Sequence, residues 1–394
     1  MQRTELLKSE VQAYILEHLQ SNLAELAFKK SPFSDLSMSE LLTQIKGRQK
    51  LQIKWPSVAQ TTGILCPPSL NLEQSSSEQT AVFKKDLLAD RNLEYGLDMT
   101  CGFGIDSYYL SHVCNRFESC ELNSDLAEIT KHNFQQWHKD NVEIINSSSI
   151  DHLKESAQVY DLIFVDPSRR HDLKGKVFRL EDCLPNIVSH KDLILSKSKL
   201  LMIKNSPFLD ITSSLRDLNE PAEVYIIALN NEVKEVLLLI GSDIKKDRIN
   251  CINLKKDKQE RFSFDSQQSY EVNYALPQKY LYEPNAAIMK SGGFTAVSQK
   301  LGLNKLEVNS HLYTSEELID FPGRSFEIQH IVPGTKKELK KIIQGNKANI
   351  SVRNYPLTVA QIRKKTGLKD GSDQYIFFTT LEDGKPSAVI CKKL

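Results

Sequence analysis

No stretch of this 394-residue sequence approaches the ~18 consecutive apolar residues that a membrane-spanning helix needs. Its start, MQRTELLKSEV, carries charge at once and has no apolar core of the kind a secretory signal requires, so a cytoplasmic protein with no membrane partner is expected. Cysteine is sparse: seven residues, an odd number without paired spacing, suit a reducing compartment better than a disulfide framework. CxxC, HExxH and histidine clusters are missing, which predicts no bound metal. Net charge is nearly missing too, at +1, so any pull toward a polyanion must come from local patches.

What is there reads as a folded globular chain, 40% hydrophobic and 26% charged. A prior of one domain per ~150 residues suggests two or three domains. The first is a helical region, 1–72. Val11, Ile15, Leu19, Leu23 and Leu26 recur at helical spacing, and SELLTQIKGRQKLQIKW follows a capping-box pattern, Ser37-x-x-Glu40. Cys66-Pro67-Pro68 breaks helix, and LNLEQSSSEQTAVFKKDLL restarts it.

From 73 to 242 short apolar runs alternate with amphipathic ones. Strands are expected at 96–99, 117–122, 142–146, 160–166, 199–205, 223–229 and 233–240. Such alternation builds a mostly parallel sheet covered by helices, an α/β fold. Only Asn230, Asn231 and Glu232 separate the last two runs, too few for a crossover, so these must form an antiparallel hairpin. Beyond 242 the character changes: 243–320 reads as a small α+β module, with alternation in RFSFDS and a helix within PNAAIMKSGGFTAVSQKLGL. The last segment, 321–394, is basic, and from Gly334 onward thirteen Lys/Arg face five Asp/Glu, a net of +8.

The turn LDMTCGFGID carries the first chemistry. A strand ends at Asp98, Gly102 and Gly104 let backbone approach a ligand, and a helix begins near Asp106. A dinucleotide fingerprint would want glycine at Ser107 and no acid at Asp98. A cationic, amino-acid-bearing nucleoside fits better, with Asp98 near its charge and Glu121, close to the ~20-residue spacing of a ribose-binding acid, at the end of the next strand. Cys101 reads as a space-filler rather than a nucleophile.

At these residues the chain resembles class I S-adenosylmethionine-dependent methyltransferases over about 75–242. That resemblance implies a seven-stranded, Rossmann-like sheet ending in the hairpin, S-adenosyl-L-methionine as cofactor, and contacts from Asp98, Thr100, Gly102, Gly104, Asp106 and Glu121. Thr100 stands at the pattern's first glycine, a variation found in members that act on nucleic acid. The adenine-binding acid expected after the third strand is missing, and Ser148 holds its place. LEQSSSEQTA, DPSRR, IKNSPFLDI, GRSF and RNYP together resemble a bacterial methyltransferase family with a THUMP-like C-terminal domain, which by analogy points to RNA, tRNA or rRNA, as partner.

DPSRR, at the end of the fourth strand, departs from the Asp-Pro-Pro-aromatic segment with which related enzymes hold an exocyclic amine. Asp166 and Pro167 remain, Ser168 replaces the second proline, and Arg169 replaces the stacking ring with a cation. Asp166 is the group expected to orient or deprotonate the acceptor, and Arg169, Arg170 and His171 either meet the substrate or simply face solvent. Cys183 reads as packing, which leaves covalent catalysis without a nucleophile. After the fifth strand Asn205, Ser206 and Phe208 either hold an acceptor or pack beneath the following helix. In the tail, Lys337, Lys341, Arg353, Tyr355 and Arg363 are the candidate RNA contacts, each with an ordinary solvated surface as its alternative. GRQKLQIKW, with Arg48, Lys50, Lys54 and Trp55, suggests a second basic wall. Three functions fit: an RNA methyltransferase, a methyltransferase for protein or small molecules, and a non-catalytic RNA-binding protein on the same fold.

Overall fold

The computed structural model describes residues 3–169 and 179–394. The chain divides into two compact units, Met1–Glu223 with Val236–Lys246, and Val224–Glu235 with Asp247–Leu394.

The first unit opens with helices α1 (Ser9–Glu17) and α2 (Met38–Lys54). The expected capping box forms: Ser37 accepts from the Glu40 amide while the Glu40 carboxylate accepts from the Ser37 amide. Along α2 the spacing three to four buries Leu41, Gln44, Ile45, Arg48 and Leu51 as one stripe. The stretch 69–87 is two helices rather than one. After Ser69–Gln74, a serine run intervenes, and Ser77 caps α3 (Glu78–Leu87) by accepting from the Thr80 amide.

Strands β1 (Leu93–Asp98), β2 (Cys114–Cys120), β3 (Val142–Ile145), β4 (Tyr160–Val165) and β5 (Ser198–Asn205) alternate with α4 (Ile105–Leu110), α5 (Ser124–Gln136) and α6 (Ser149–Glu155) between the first four. β6 (Glu223–Leu229) and β7 (Glu232–Gly241) complete the seven expected strands. Within the first unit the order is β7-β5-β4-β1-β2-β3, parallel except for β7 against β5. Leu162 to Val165 on β4 and Leu201 to Ile203 on β5 are almost wholly buried. Such uninterrupted burial is what a central strand covered on both faces requires. Switching from β4 to β1 reverses the winding, and a sheet of this kind binds ligands outside the carboxyl ends of its strands at that reversal. Asp98 and Asp166 both sit there.

In the second unit β6 and the start of β7 make the hairpin, turning through Asn230 and Asn231 at φ 51° and 67°. Two left-handed residues give the turn whose twist matches paired strands, and asparagine tolerates that conformation well. β8 (Arg248–Leu254) runs parallel to β6, and β9 (Gln259–Asp265) antiparallel to β8. A second sheet follows, with β10 (Tyr280–Pro284), β11 (Asn304–Lys305), β12 (Tyr313–Ser315), β13 (Gly323–Val332), β14 (Asn349–Arg353), β15 (Gln374–Thr380) and β16 (Pro386–Lys393) in the order β11-β12-β10-β13-β16-β15-β14. Strand alternation divides its two cores: Ile376, Phe378 and Ile390 pack with Leu339 and Ile362, whereas Phe377, Val389 and Cys391 pack with Leu281 and Phe326. PNAAIMKSGGFTAVSQKLGL holds two helices, Ala286–Ser291 and Phe294–Leu301, parted at Gly292, whose φ of 71° ends the first.

Candidate active site

Asp98 ends β1 almost fully buried, and each of its oxygens is taken by the turn that follows. Oδ1 accepts from the Thr100 amide at 2.8 Å and its hydroxyl at 3.2 Å, and Oδ2 accepts from the Ser107 hydroxyl at 2.6 Å. Burial raises the Asp98 pKa to about 7; the Ser107 hydroxyl and Thr100 amide oppose the rise, and Asp106 and Asp166 add to it. Ser107, which in the sequence only argued against a dinucleotide, is the residue that fixes this carboxyl.

Gly102 and Gly104 adopt φ 58° and 86°. A Cβ on Gly104 would lie 2.5 Å from the Phe134 ring, so backbone and core meet there. A Cβ on Gly102 would meet only the Thr100 carbonyl, at 3.9 Å, leaving open space above the turn. Glu121, just past β2, accepts from the Gly102 amide at 2.9 Å and from the Asn123 amide at 2.8 Å, which locks its carboxylate beside that space. Leu122 next to it is 76% exposed, an apolar surface the sequence reading passed over. Ser148 caps α6, accepting from the Asp151 amide at 3.4 Å, and is half-buried.

Thr100 links the two halves of the site, because its hydroxyl also accepts from the Asp166 amide at 2.7 Å. Asp166 forms an ion pair with Lys204, nearly buried at the end of β5. Pro167 is buried and Ser168 exposed. The Ser168–Arg169 backbone pairs antiparallel with Cys183–Leu184, and Arg169 is described by its backbone alone. Arg170 and His171 lie outside the described residues. Asn205 is buried, and its Oδ1 has no hydrogen-bond partner among the described residues. Ser206 accepts from the Phe208 amide at 3.3 Å, and the Phe208 ring is 83% exposed.

Asp106, in the first turn of α4, has a different environment. It is buried against fully buried Lys84, at 3.1 Å, and accepts from Ser76 at 2.6 Å. Burial works against its charge, but Lys84, Lys204 and the Ser76 hydroxyl outweigh it and hold its pKa below the ordinary value. Lys54 donates to the Leu72 and Glu73 carbonyls at 2.8 and 2.9 Å, and burial, then Lys204 and Lys50, lower its pKa to about 8. The amino-terminal basic wall is corrected accordingly. Arg48 is buried in the α2 stripe and donates to the Thr61 carbonyl at 2.8 Å, Lys50 pairs with Glu73, and Trp55 is fully buried with its indole N–H on the Ser76 carbonyl at 2.7 Å. The three-to-four spacing of Leu41, Ile45, Arg48 and Leu51 was the signal for this.

All seven cysteines are buried and stand as thiols rather than in disulfides. Burial pushes the Cys101 thiol well above its ordinary range, so it holds its proton. Among the described residues no group of three His, Cys, Asp or Glu side chains could hold a metal, and no helix is long and apolar enough to cross a membrane.

Of the tail candidates, Lys337 is exposed and Lys341 pairs with Glu338 at 2.8 Å. Arg353 pairs with buried Glu283 at 2.9 Å, Arg363 with Asp370 at 2.6 Å, and the Tyr355 ring packs edge-on against Phe378.

Strand plan and glycine turn define a class I methyltransferase fold. The crystal structure of a "putative methyltransferase" from Porphyromonas gingivalis W83 matches with a TM-score of 0.87 at 28% identity, over 99% of this chain and 98% of that one. Family models for a ferredoxin-like domain and for a THUMP domain-like module match residues 280–322 and 323–393. The chain thus shares its whole-length architecture with a "putative methyltransferase" and matches a THUMP domain-like module at its C-terminal end. Partial likeness extends to an O-methyltransferase from Bacillus cereus in complex with SAH (13% identity, 44% of this chain, 88% of that chain, TM-score 0.35) and an rRNA methylase from Streptococcus thermophilus (16%, 40%, 94%, 0.31). No curated protein sequence matches the chain.

Proposed function

We propose that the protein is a cytoplasmic S-adenosylmethionine-dependent methyltransferase acting on RNA. The observation that carries this reading is the Thr100 hydroxyl, which ties the buried acid at the end of β1 to the Asp-Pro segment at the end of β4. The first-unit turn fits the cofactor: there is space above Gly102, a carboxylate fixed beside it at Glu121, and a buried acid at Asp98 that pairs with no cation among the described residues. Asp98 would balance the cofactor's positive charge, Glu121 would hold its ribose hydroxyls, and Leu122 and Ser148 would border the adenine. When bound, the cofactor supplies an electrophilic methyl group.

Everything else falls to this chain's own residues. Asp166 orients the acceptor and takes its proton, and Lys204 fixes the Asp166 carboxylate so that it points consistently. The unpartnered Asn205 oxygen supports a donor on the acceptor, and exposed Phe208 offers the stacking face that DPSRR lacks. The match to a THUMP domain-like module supports RNA as the acceptor.

Incubation with total RNA and labelled S-adenosylmethionine tests the reading. Wild type should transfer label to RNA and Asp166→Ala should not, while both bind the cofactor. Label entering protein or small molecules instead would replace the RNA reading, and no transfer despite cofactor binding would leave a binding protein on this fold.

A further inference from the structure

The second unit contains a cavity of about 540 Å³ that none of the preceding chemistry uses. Its walls come from three separate parts of the chain: the β8–β9 turn supplies Lys255 and Lys258, the segment entering β13 and the start of that strand supply Leu318, Phe321 and Arg324, and the end of β16 supplies Lys393. Four cations from sequence-distant segments thus meet over one space, with Asp320 the one acid among the lining residues. The volume lies in the ~300–1,000 Å³ range of small-ligand sites.

The cations are held in different ways. Lys255 pairs with buried Glu260, and Lys258 stands 4.0 Å from the same carboxylate with most of its side chain exposed. Arg324 pairs with buried Glu283, which also receives Arg353, and lies over the rings of Phe326 and Tyr375 at 5.5 and 6.0 Å. Lys393 is exposed and has no acidic partner among the described residues. Two buried acids therefore anchor Lys255 and Arg324, while Lys258 and Lys393 retain charge for a ligand. Leu318, 54% exposed, gives the cavity an apolar side. A lining that combines cations with apolar side chains matches a phosphate joined to a base. Lys393 in particular contrasts with Lys341, Arg353 and Arg363, whose charges already have acidic partners.

We infer that this cavity is a nucleotide-binding site through which the second unit grips RNA, with Lys258 and Lys393 on phosphate and Leu318 against a base. Only the identity of the polymer rests on the RNA reading above; the site is separate from the transfer site.

The test uses the full chain, a short fluorescent single-stranded RNA and anisotropy across a salt series. Lys258→Ala and Lys393→Ala change exposed side chains, so wild-type melting temperatures are expected. Each should lower the slope of log affinity against log salt by about 0.7, and the pair should weaken binding at least ~10-fold at low salt. Lys337→Ala should do less than either. AMP should displace the RNA at concentrations where inorganic phosphate does not. Unchanged affinity and slope in the double variant, or an equal loss from Lys337→Ala, would overturn the site, and equal competition by phosphate would overturn its nucleotide character. Methyl transfer separates the two readings. If wild type labels RNA but the double variant binds RNA normally, the cavity assignment fails and the activity stands. If the cavity binds RNA but no methyl enters it, the activity fails and the site stands.

Discussion

Replacing Asp98 by asparagine should make the ligand-free protein more stable while weakening its hold on the cofactor. Burial raises the folded-state pKa of Asp98 from 3.8 to about 7. Between those values the folded protein binds a proton that the unfolded chain has released, so stability falls as pH rises through this window and levels off above 7. At 1.36 kcal/mol per pH unit, the gap amounts to about 4 kcal/mol. A neutral carboxamide at this position would carry no such cost. It can keep all three contacts, because the Ser107 hydroxyl can turn to accept as well as donate and the amide oxygen can still receive the Thr100 N–H and hydroxyl. Urea unfolding of both proteins from pH 4 to pH 8.5 is the assay. The advantage of Asp98→Asn should be near zero at pH 4, grow through the window and reach about 4 kcal/mol at pH 8. The cofactor's positive charge favours ionised Asp98, so wild-type affinity should rise with pH up to about 7, whereas the variant should bind weakly and without that dependence. A variant less stable than wild type at pH 8, or flat wild-type affinity between pH 5.5 and 8, would refute the reasoning.

Lys84→Met should cost about 3–5 kcal/mol in unfolding free energy because it strands the buried Asp106 charge, and adding Asp106→Leu should recover much of that loss, since a buried pair replaced as a pair costs little; chemical denaturation of the two variants checks this. Gly104→Ala forces a left-handed φ on a residue with a side chain and drives its Cβ into Phe134, so a loss of roughly 2 kcal/mol or more and weakened cofactor binding are expected by thermal shift. Lys204→Met should leave cofactor affinity within about threefold of wild type yet lower transfer by roughly 100-fold, the scale of a positioned proton-transfer group, in single-turnover assays. Equal losses of binding and transfer would instead give Lys204 a purely structural part.

The strands were legible because their apolar runs are short, regularly spaced and closed by a hairpin whose connection admits no crossover. The glycine turn was legible because its features sit within one local stretch. What the sequence hid depends on pairings across the fold. Lys204 and Asp166 stand 38 residues apart and meet only because β4 and β5 are neighbours. Ser76 and Lys84 reach Asp106 from the preceding helical segment, and periodicity cannot announce such a contact. Charge counting misleads for a related reason. A net excess of lysine and arginine says nothing about which cations already have acidic partners, and Arg353 and Arg363 have them, while Lys258 and Lys393 belong to a cavity assembled from distant segments. Arg48 shows the reverse error, a basic residue read as surface although it lies on the buried stripe of its own helix.

Asp166 is the residue proposed to serve methyl transfer to RNA. Nucleoside mass spectrometry of RNA from cells lacking this gene, complemented with wild type or with Asp166→Ala, tests that role most directly. One methylated nucleoside should disappear on deletion, return with wild type and stay absent with Asp166→Ala. An unchanged nucleoside profile on deletion, or full restoration by Asp166→Ala, would contradict the account.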